Sequence, residues 1–314
     1  MKNKITLSLT GGLGNQLFQL SAGLKISAGG QLNISTIYGK PRQNKEGRAE
    51  IFSFSLPGRV KNDSHKSAPW LVNKIAGYLL RIGIAPRGLE KFKFLLTLIR
   101  ITITIVFNIF LKEMTSIIYA KNIGYTELKV KKGNSLIFGY FQSYRWAIDP
   151  NVKKEMMAIH VSEHADIVLE YSKLAEIEKP LIVHVRLGDY LNEKDFGIPS
   201  VSYYTKGIEH VLSFNKCSTI WLFSDDVELA KSFISEENNL PIRVFGQICD
   251  STAVTFEVMR LGFGYVVANS TFSWWAAFLS KNSDVEVVAP DPWFAGINEP
   301  VDLIPINWKR MNSN

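Results

Sequence analysis

Residues able to handle a charged ligand gather in four short stretches of the 314-residue chain. In LIVHVRLGDY, residues 181–190, four apolar residues around His184 read as a short buried strand, and Arg186, Gly188 and Asp189 follow directly. Arginine carries a planar fork of donors suited to a phosphate, and glycine lets a chain turn sharply. At the carboxyl end of a strand in an α/β sheet this trio suits a ligand in the crevice; a strand end closed by a surface ion pair uses the same residues. Asn269, Ser270 and Thr271 precede an apolar helix. They either cap it or turn its hydroxyls and backbone donors on an anion. FSDD, residues 223–226, ends another strand, where one carboxylate of Asp225 and Asp226 can accept from a ribose or base, or both can form a charge pair at a helix start. GGLGNQ, residues 11–16 with Gly14 and Asn15, lies between a strand and a helix. It follows the logic of a phosphate loop without the dinucleotide or Walker spacing, and an ordinary strand-to-helix turn is the alternative.

These stretches need elements to hold them. Residues 4–9 (ITLSLT) read as a strand and 17–25 as a helix; 137–141 (IFGYF) read as a strand, and one helix of roughly 151–178 leads into the second half. From there strands at 181–185, 219–223, 242–245, 265–268 and 285–289 alternate with helices at 203–212, 227–235, 252–261 and 271–280. That alternation predicts a parallel, doubly wound sheet. The length suits two α/β domains or one large one; a two-domain division would fall at 1–155 and 156–314, with a variable apolar and basic insert at about 60–130.

Composition narrows the partners. The net charge is +7 with a pI near 9.2, which favours anionic partners. Cys217 and Cys249 are too few for a disulfide framework, so a reducing compartment is expected. Met1-Lys-Asn-Lys runs into ITLSLT with no cleavage pattern, and no signal peptide is expected. The 18 residues 94–111 are long enough for a membrane span, but Arg100 sits near the middle and the ITITIV alternation is β-like. The residues before it, 70–93, mix Leu, Ile and Trp with Lys74, Arg81, Arg87, Lys91 and Lys93, a pattern suited to an anionic bilayer surface or to amphipathic helices covering a core. His160-Val-Ser-Glu163-His164 fits an inverted zinc-peptidase pattern, which a charged helix face explains equally well. No Asp-x-Asp pair is present to hold a divalent metal.

Taken together, GGLGNQLFQ (11–19), GYFQSY (139–144), HVRLGDY (184–190), FSDD (223–226) and EVMRLGFGYVVANSTFSWWAAFL (257–279) resemble the bacterial α-1,2-fucosyltransferases. The chain departs from that pattern at Leu187, where a second arginine is frequent, at Gly262 and at Thr255. The resemblance implies a GT-B fold of two facing Rossmann-like domains, with the sugar nucleotide mainly on the C-terminal one. It implies inverting, metal-independent transfer of L-fucose from GDP-fucose to the 2-hydroxyl of a galactose in an O-antigen or capsule precursor, with no nucleic acid involved. With no metal, Arg186 and the helix start at Ser270-Thr271 must neutralise the departing diphosphate. Asn15 is expected to reach the same phosphates, and His184 and Asp225 or Asp226 to contact guanine and ribose. Asp189 and Glu257 are the candidate carboxylates for deprotonating the acceptor. The acceptor is expected to be a galactose-containing oligosaccharide carried on a lipid, with the protein cytoplasmic and peripheral at the inner face of the membrane.

Overall fold

The structure, a computed structural model, describes residues 4–63 except 38 and 40, isolated positions between 98 and 109, and residues 116–314 except 121, 122, 129, 131, 132, 189, 191–194 and 236–238. The chain divides into two compact units, Met1–Ile159 with Pro300–Leu303, and His160–Glu299 with Ile304–Asn314. Each is an α/β unit built on a parallel sheet.

In the first unit the strands are β1 (Lys4–Ser8), β2 (Leu32–Ser35), β3 (Val60–Asn62), β4 (Ser116–Tyr119) and β5 (Asn134–Phe138). They lie in the order β3-β2-β1-β5-β4, all parallel. Helix α1 (Leu13–Ile26) is buried over most of its length, with Leu17, Phe18, Leu20 and Leu24 in the core beside Leu7, Ile34 and Ile137. It begins four residues earlier than the apolar spacing suggests, so the glycine turn is only Gly11-Gly12. Helix α2 (Pro150–Met157) starts at Asp149, whose carboxylate accepts from the Asn151 and Val152 N–H groups.

The single helix expected over 151–178 is two. After α2 the chain is extended at His160-Val161, and α3 (Ala165–Glu178) starts only after His164, which adopts a left-handed conformation with φ 57°. His160 and His164 therefore share no helix face, and the inverted zinc pattern has no structural basis. Among the described residues no group of His, Cys, Asp and Glu could hold a metal ion.

The second unit carries β6 (Pro180–Val185), β7 (Thr219–Ser224), β8 (Ile242–Phe245), β9 (Gly264–Val266), β10 (Val287–Asp291) and β11 (Lys309–Asn312), in the order β8-β7-β6-β9-β10-β11. Every pairing is parallel. All residues of β6 and β7 are buried, as continuous apolar runs covered on both faces must be. Helices α4 (Val201–Phe214), α5 (Val227–Lys231), α6 (Thr252–Met259) and α7 (Thr271–Phe278) begin at the oxygen-bearing caps Ser200, Asp226, Ser251 and Ser270.

Within 94–111 the described positions Leu98, Ile99, Ile101, Thr102, Ile105 and Ile109 are helical, and the Thr102 hydroxyl donates to the Leu98 carbonyl at 3.0 Å. The β-like reading of ITITIV does not hold at these positions: helical backbone overrides a short alternation. Among the described residues no helix is long and apolar enough to cross a membrane. The amphipathic reading of 70–93 lies outside the described residues.

Candidate functional site

In the second sheet the chain runs outward from β6 through β7 to β8, then returns to lay β9 on the other flank of β6 and continues to β10 and β11. The strand order thus reverses between β6 and β9. Ligands of open α/β sheets bind outside the carboxyl ends of the strands at such a reversal. Arg186 leaves the end of β6, and Asn269-Ser270 follows the end of β9. Residues distant in sequence meet here because the topology puts their strands side by side.

The Arg186 guanidinium is partly buried, with Nη1 3.1 Å from Asp225 Oδ2. The other Asp225 oxygen accepts from the Leu187 N–H at 2.9 Å. Arg186 also lies over the Tyr190 ring, 5.7 Å from its centroid, and the Tyr190 hydroxyl donates to the Asn269 carbonyl at 3.2 Å. The Asn269 amide donates to the carbonyls of Phe196 and Gly197 at 2.8 and 2.9 Å, fixing the loop before α4. Its Oδ1 is buried with no hydrogen-bond partner among the described residues. Ser270 caps α7 by accepting from the Phe272 N–H, and Thr271 is the first residue of that helix. Asp226 caps α5 through the Leu229 N–H at 3.1 Å. Asp189 lies outside the described residues.

His184 is buried on β6, its ring 6.2 Å from that of Phe272. Burial pushes the imidazole down to about 3; the positive Arg186 adds to this and Asp225 opposes it. His184 is therefore neutral at any working pH, and its Nδ1 is buried without a partner among the described residues. A neutral ring suits the end of a helix whose backbone already presents positive charge.

In the first unit an equivalent reversal falls between β1 and β5, where GGLGNQ meets GYFQSY. The Gln142 amide donates to Asn15 Oδ1 at 2.9 Å. Gln19 joins the two strand ends: its Oε1 accepts from the Thr10 N–H and its Nε2 donates to the Gly139 carbonyl, both at 3.0 Å. Gly14 is buried in the first turn of α1. At that helix start the Leu13 N–H donates to the buried Glu50 carboxylate at 2.7 Å. The glycine turn thus carries an anion supplied by the chain itself.

The model of glycosyl transferase family 11 matches residues 4–309. The chain belongs to glycosyl transferase family 11. It is similar to the O-antigen biosynthesis glycosyltransferase WbnK of Escherichia coli, 25% identical over 93% of this chain and 95% of that one. An Escherichia coli alpha-1,2-colitosyltransferase is 26% identical over 98% of both chains, and a Caenorhabditis elegans galactoside 2-alpha-L-fucosyltransferase is 26% identical over 55% of this chain and 51% of that one. Among solved structures, the fucosyltransferase NodZ from Bradyrhizobium has 13% identity and a TM-score of 0.47 over 89% of this chain and 94% of that one.

For this family 11 glycosyltransferase the second unit brings Arg186, His184, Asp225, Asn269, Ser270 and Thr271 to one sheet edge. Glu257 does not join them. It sits near the far end of α6, 1% exposed, with Oε1 2.8 Å from Arg260 Nη1 and Oε2 2.9 Å from Lys281 Nζ. Arg260 in turn donates to the Leu279 carbonyl and accepts from the Lys281 N–H, tying the C-terminal ends of α6 and α7 together. A carboxylate gripped by two cations at the helices' C-terminal ends, away from the strands' carboxyl edge, is a structural group. The residues the sequence reading missed are Tyr190, Gln142, Gln19 and Glu50. Three of them lie inside quoted motifs, but their roles depend on partners that spacing does not reveal.

Proposed function

We propose that this chain transfers L-fucose from GDP-fucose to the 2-hydroxyl of a galactose in an O-antigen or capsule precursor, with inversion and without a divalent metal. The observation that carries the reading is that Arg186 and the capped start of α7 follow the ends of neighbouring strands at the strand reversal of the second sheet. The acceptor oxygen forms the new bond to the anomeric carbon as the bond from that carbon to the GDP phosphate oxygen breaks. Charge then grows on the diphosphate, and a guanidinium and a helix start are the groups to meet it. The acceptor proton passes to a carboxylate; Asp189 is the remaining candidate. The names borne by the Escherichia coli and Caenorhabditis elegans relatives support the O-antigen setting and the linkage.

The test is the purified chain with GDP-fucose and a β-galactoside. Expected is an α-1,2-linked fucosyl product by NMR, formed at an unchanged rate in excess EDTA. A requirement for added cation overturns the metal-free mechanism, and failure to transfer from any GDP-sugar overturns the donor class.

A second reading is colitose transfer, favoured by the full-length similarity to the colitosyltransferase. Colitose is fucose without its 3-hydroxyl. A pocket that hydrogen-bonds that hydroxyl rejects the sugar lacking it strongly, whereas an apolar pocket discriminates weakly. Comparing kcat/KM for the two donors separates the readings. We also propose a lipid-linked acceptor and a peripheral position on the cytoplasmic face of the membrane, supported by exposed Leu98, Ile101, Ile105 and Ile109.

A further inference from the structure

We propose that Asp225 is a positioning residue that holds the Arg186 guanidinium in the orientation that receives the nucleotide diphosphate, and that Gly188 is the residue that admits it. The inference rests on the donor reading above and deepens it.

The geometry is specific. One carboxylate grips two consecutive residues of the neighbouring strand end, the Arg186 side chain at 3.1 Å and the Leu187 backbone N–H at 2.9 Å. Both Asp225 oxygens are therefore engaged by the protein, so a ribose would have to displace one of these contacts. Gly188 does not adopt the left-handed backbone that demands glycine; its φ lies outside that range. What it supplies is room. A Cβ built there would run into the Asp225 carboxylate, coming within 3.2 Å of Cγ and nearer still to Oδ2. Any side chain at 188 pushes the carboxylate away and releases the arginine.

At first sight an acid beside a phosphate-binding arginine is counterproductive, because it cancels part of the charge. The gain is order. An arginine side chain loses rotamer freedom when fixed, and a group already fixed in its bound orientation avoids that loss on binding. The Tyr190 ring beneath the guanidinium limits the same plane from another side.

The experiment is a thermodynamic cycle on GDP affinity, measured by calorimetry for wild type, Asp225→Ala, Arg186→Ala and the double variant. Thermal melts of each check that it is folded. If Asp225 acts through Arg186, Asp225→Ala weakens GDP binding about tenfold in the wild-type background and less than twofold in the Arg186→Ala background. Gly188→Ala reproduces the tenfold loss, and combining it with Asp225→Ala adds nothing, as coupled positions require. Equal losses in both backgrounds mean that Asp225 touches the ligand itself and overturn the proposal, as does an Asp225→Ala variant with unchanged affinity. Should Asp225→Ala fail to fold, Asp225→Asn takes its place, since its carbonyl keeps the Leu187 bond while the charge is lost. A folded wild type that binds no GDP overturns the donor reading itself, before any variant is compared.

Discussion

His184 holds no proton where most histidines begin to take one. Its depression to about 3 comes first from burial, then from Arg186. In the unfolded chain the same ring titrates near 6.5. Between these values the unfolded state binds a proton that the folded state refuses, so stability falls as pH drops below about 6.5, by up to about 1.4 kcal/mol per unit. Replacing it, as in His184→Gln, should flatten that part of the stability curve in denaturant titrations at pH 4.5–7. The same ring should show no NMR titration across that range. Arg186 gives the complementary expectation. Lysine keeps the charge but loses the planar fork, so Arg186→Lys should lower kcat/KM by on the order of 10²-fold or more, the scale of losing a fixed donor to a developing oxyanion, with the melting point little changed. Turnover close to wild type in Arg186→Lys would remove the arginine from the chemistry.

At the scale of elements, the ends of α6 and α7 are held by Glu257, Arg260 and Lys281 rather than by the nucleotide. Removing one partner of a buried pair leaves the other charge stranded, at a cost of about 3–5 kcal/mol. Glu257→Gln should therefore lower the denaturant midpoint sharply while leaving the folded fraction able to bind GDP; normal stability with lost activity would restore its role as a base. This pair also marks where the sequence was readable and where it was not. The strands of the second unit were legible because β6 and β7 are largely apolar and buried throughout and their helices start at Ser or Asp caps. Strand β11, KRMN, was missed because a short polar strand at a sheet edge has no apolar signal. Strand β3, VKN, hid in a polar stretch for the same reason. The break between α2 and α3 contains neither Gly nor Pro, and only the left-handed backbone at His164 reveals it. For the site, residue type pointed to Arg186 and Ser270, but the Leu187 bond to Asp225 spans 38 positions. It follows from strand order, which no local pattern encodes.

For the molecule as a whole, the unusual surface is in the first unit. Leu98, Ile101, Ile105 and Ile109 follow one another at steps of three and four, the spacing of one helix face, and are 45%, 49%, 55% and 64% exposed. The sequence from 87 to 112 carries Arg87, Lys91, Lys93, Arg100 and Lys112 against Glu90. An apolar stripe in so basic a segment matches an anionic bilayer, where each Lys or Arg near the surface contributes about 1 kcal/mol and a fully buried Leu or Ile about 1.5–3 kcal/mol. The chain should float with vesicles containing phosphatidylglycerol and remain unbound to vesicles of phosphatidylcholine alone. Binding to the anionic vesicles should weaken as salt shortens the screening length from about 30 Å at 0.01 M to about 8 Å at 0.15 M. Putting a like charge into the stripe, Ile105→Glu with Ile109→Glu, should abolish most of the bound fraction. Transfer to a soluble galactoside should be unchanged, because neither residue belongs to the donor site, while transfer to a lipid-linked acceptor in vesicles should fall. If the wild type stays unbound at low salt, or the double variant floats equally well, the stripe is not a membrane contact and the acceptor must reach the enzyme from solution.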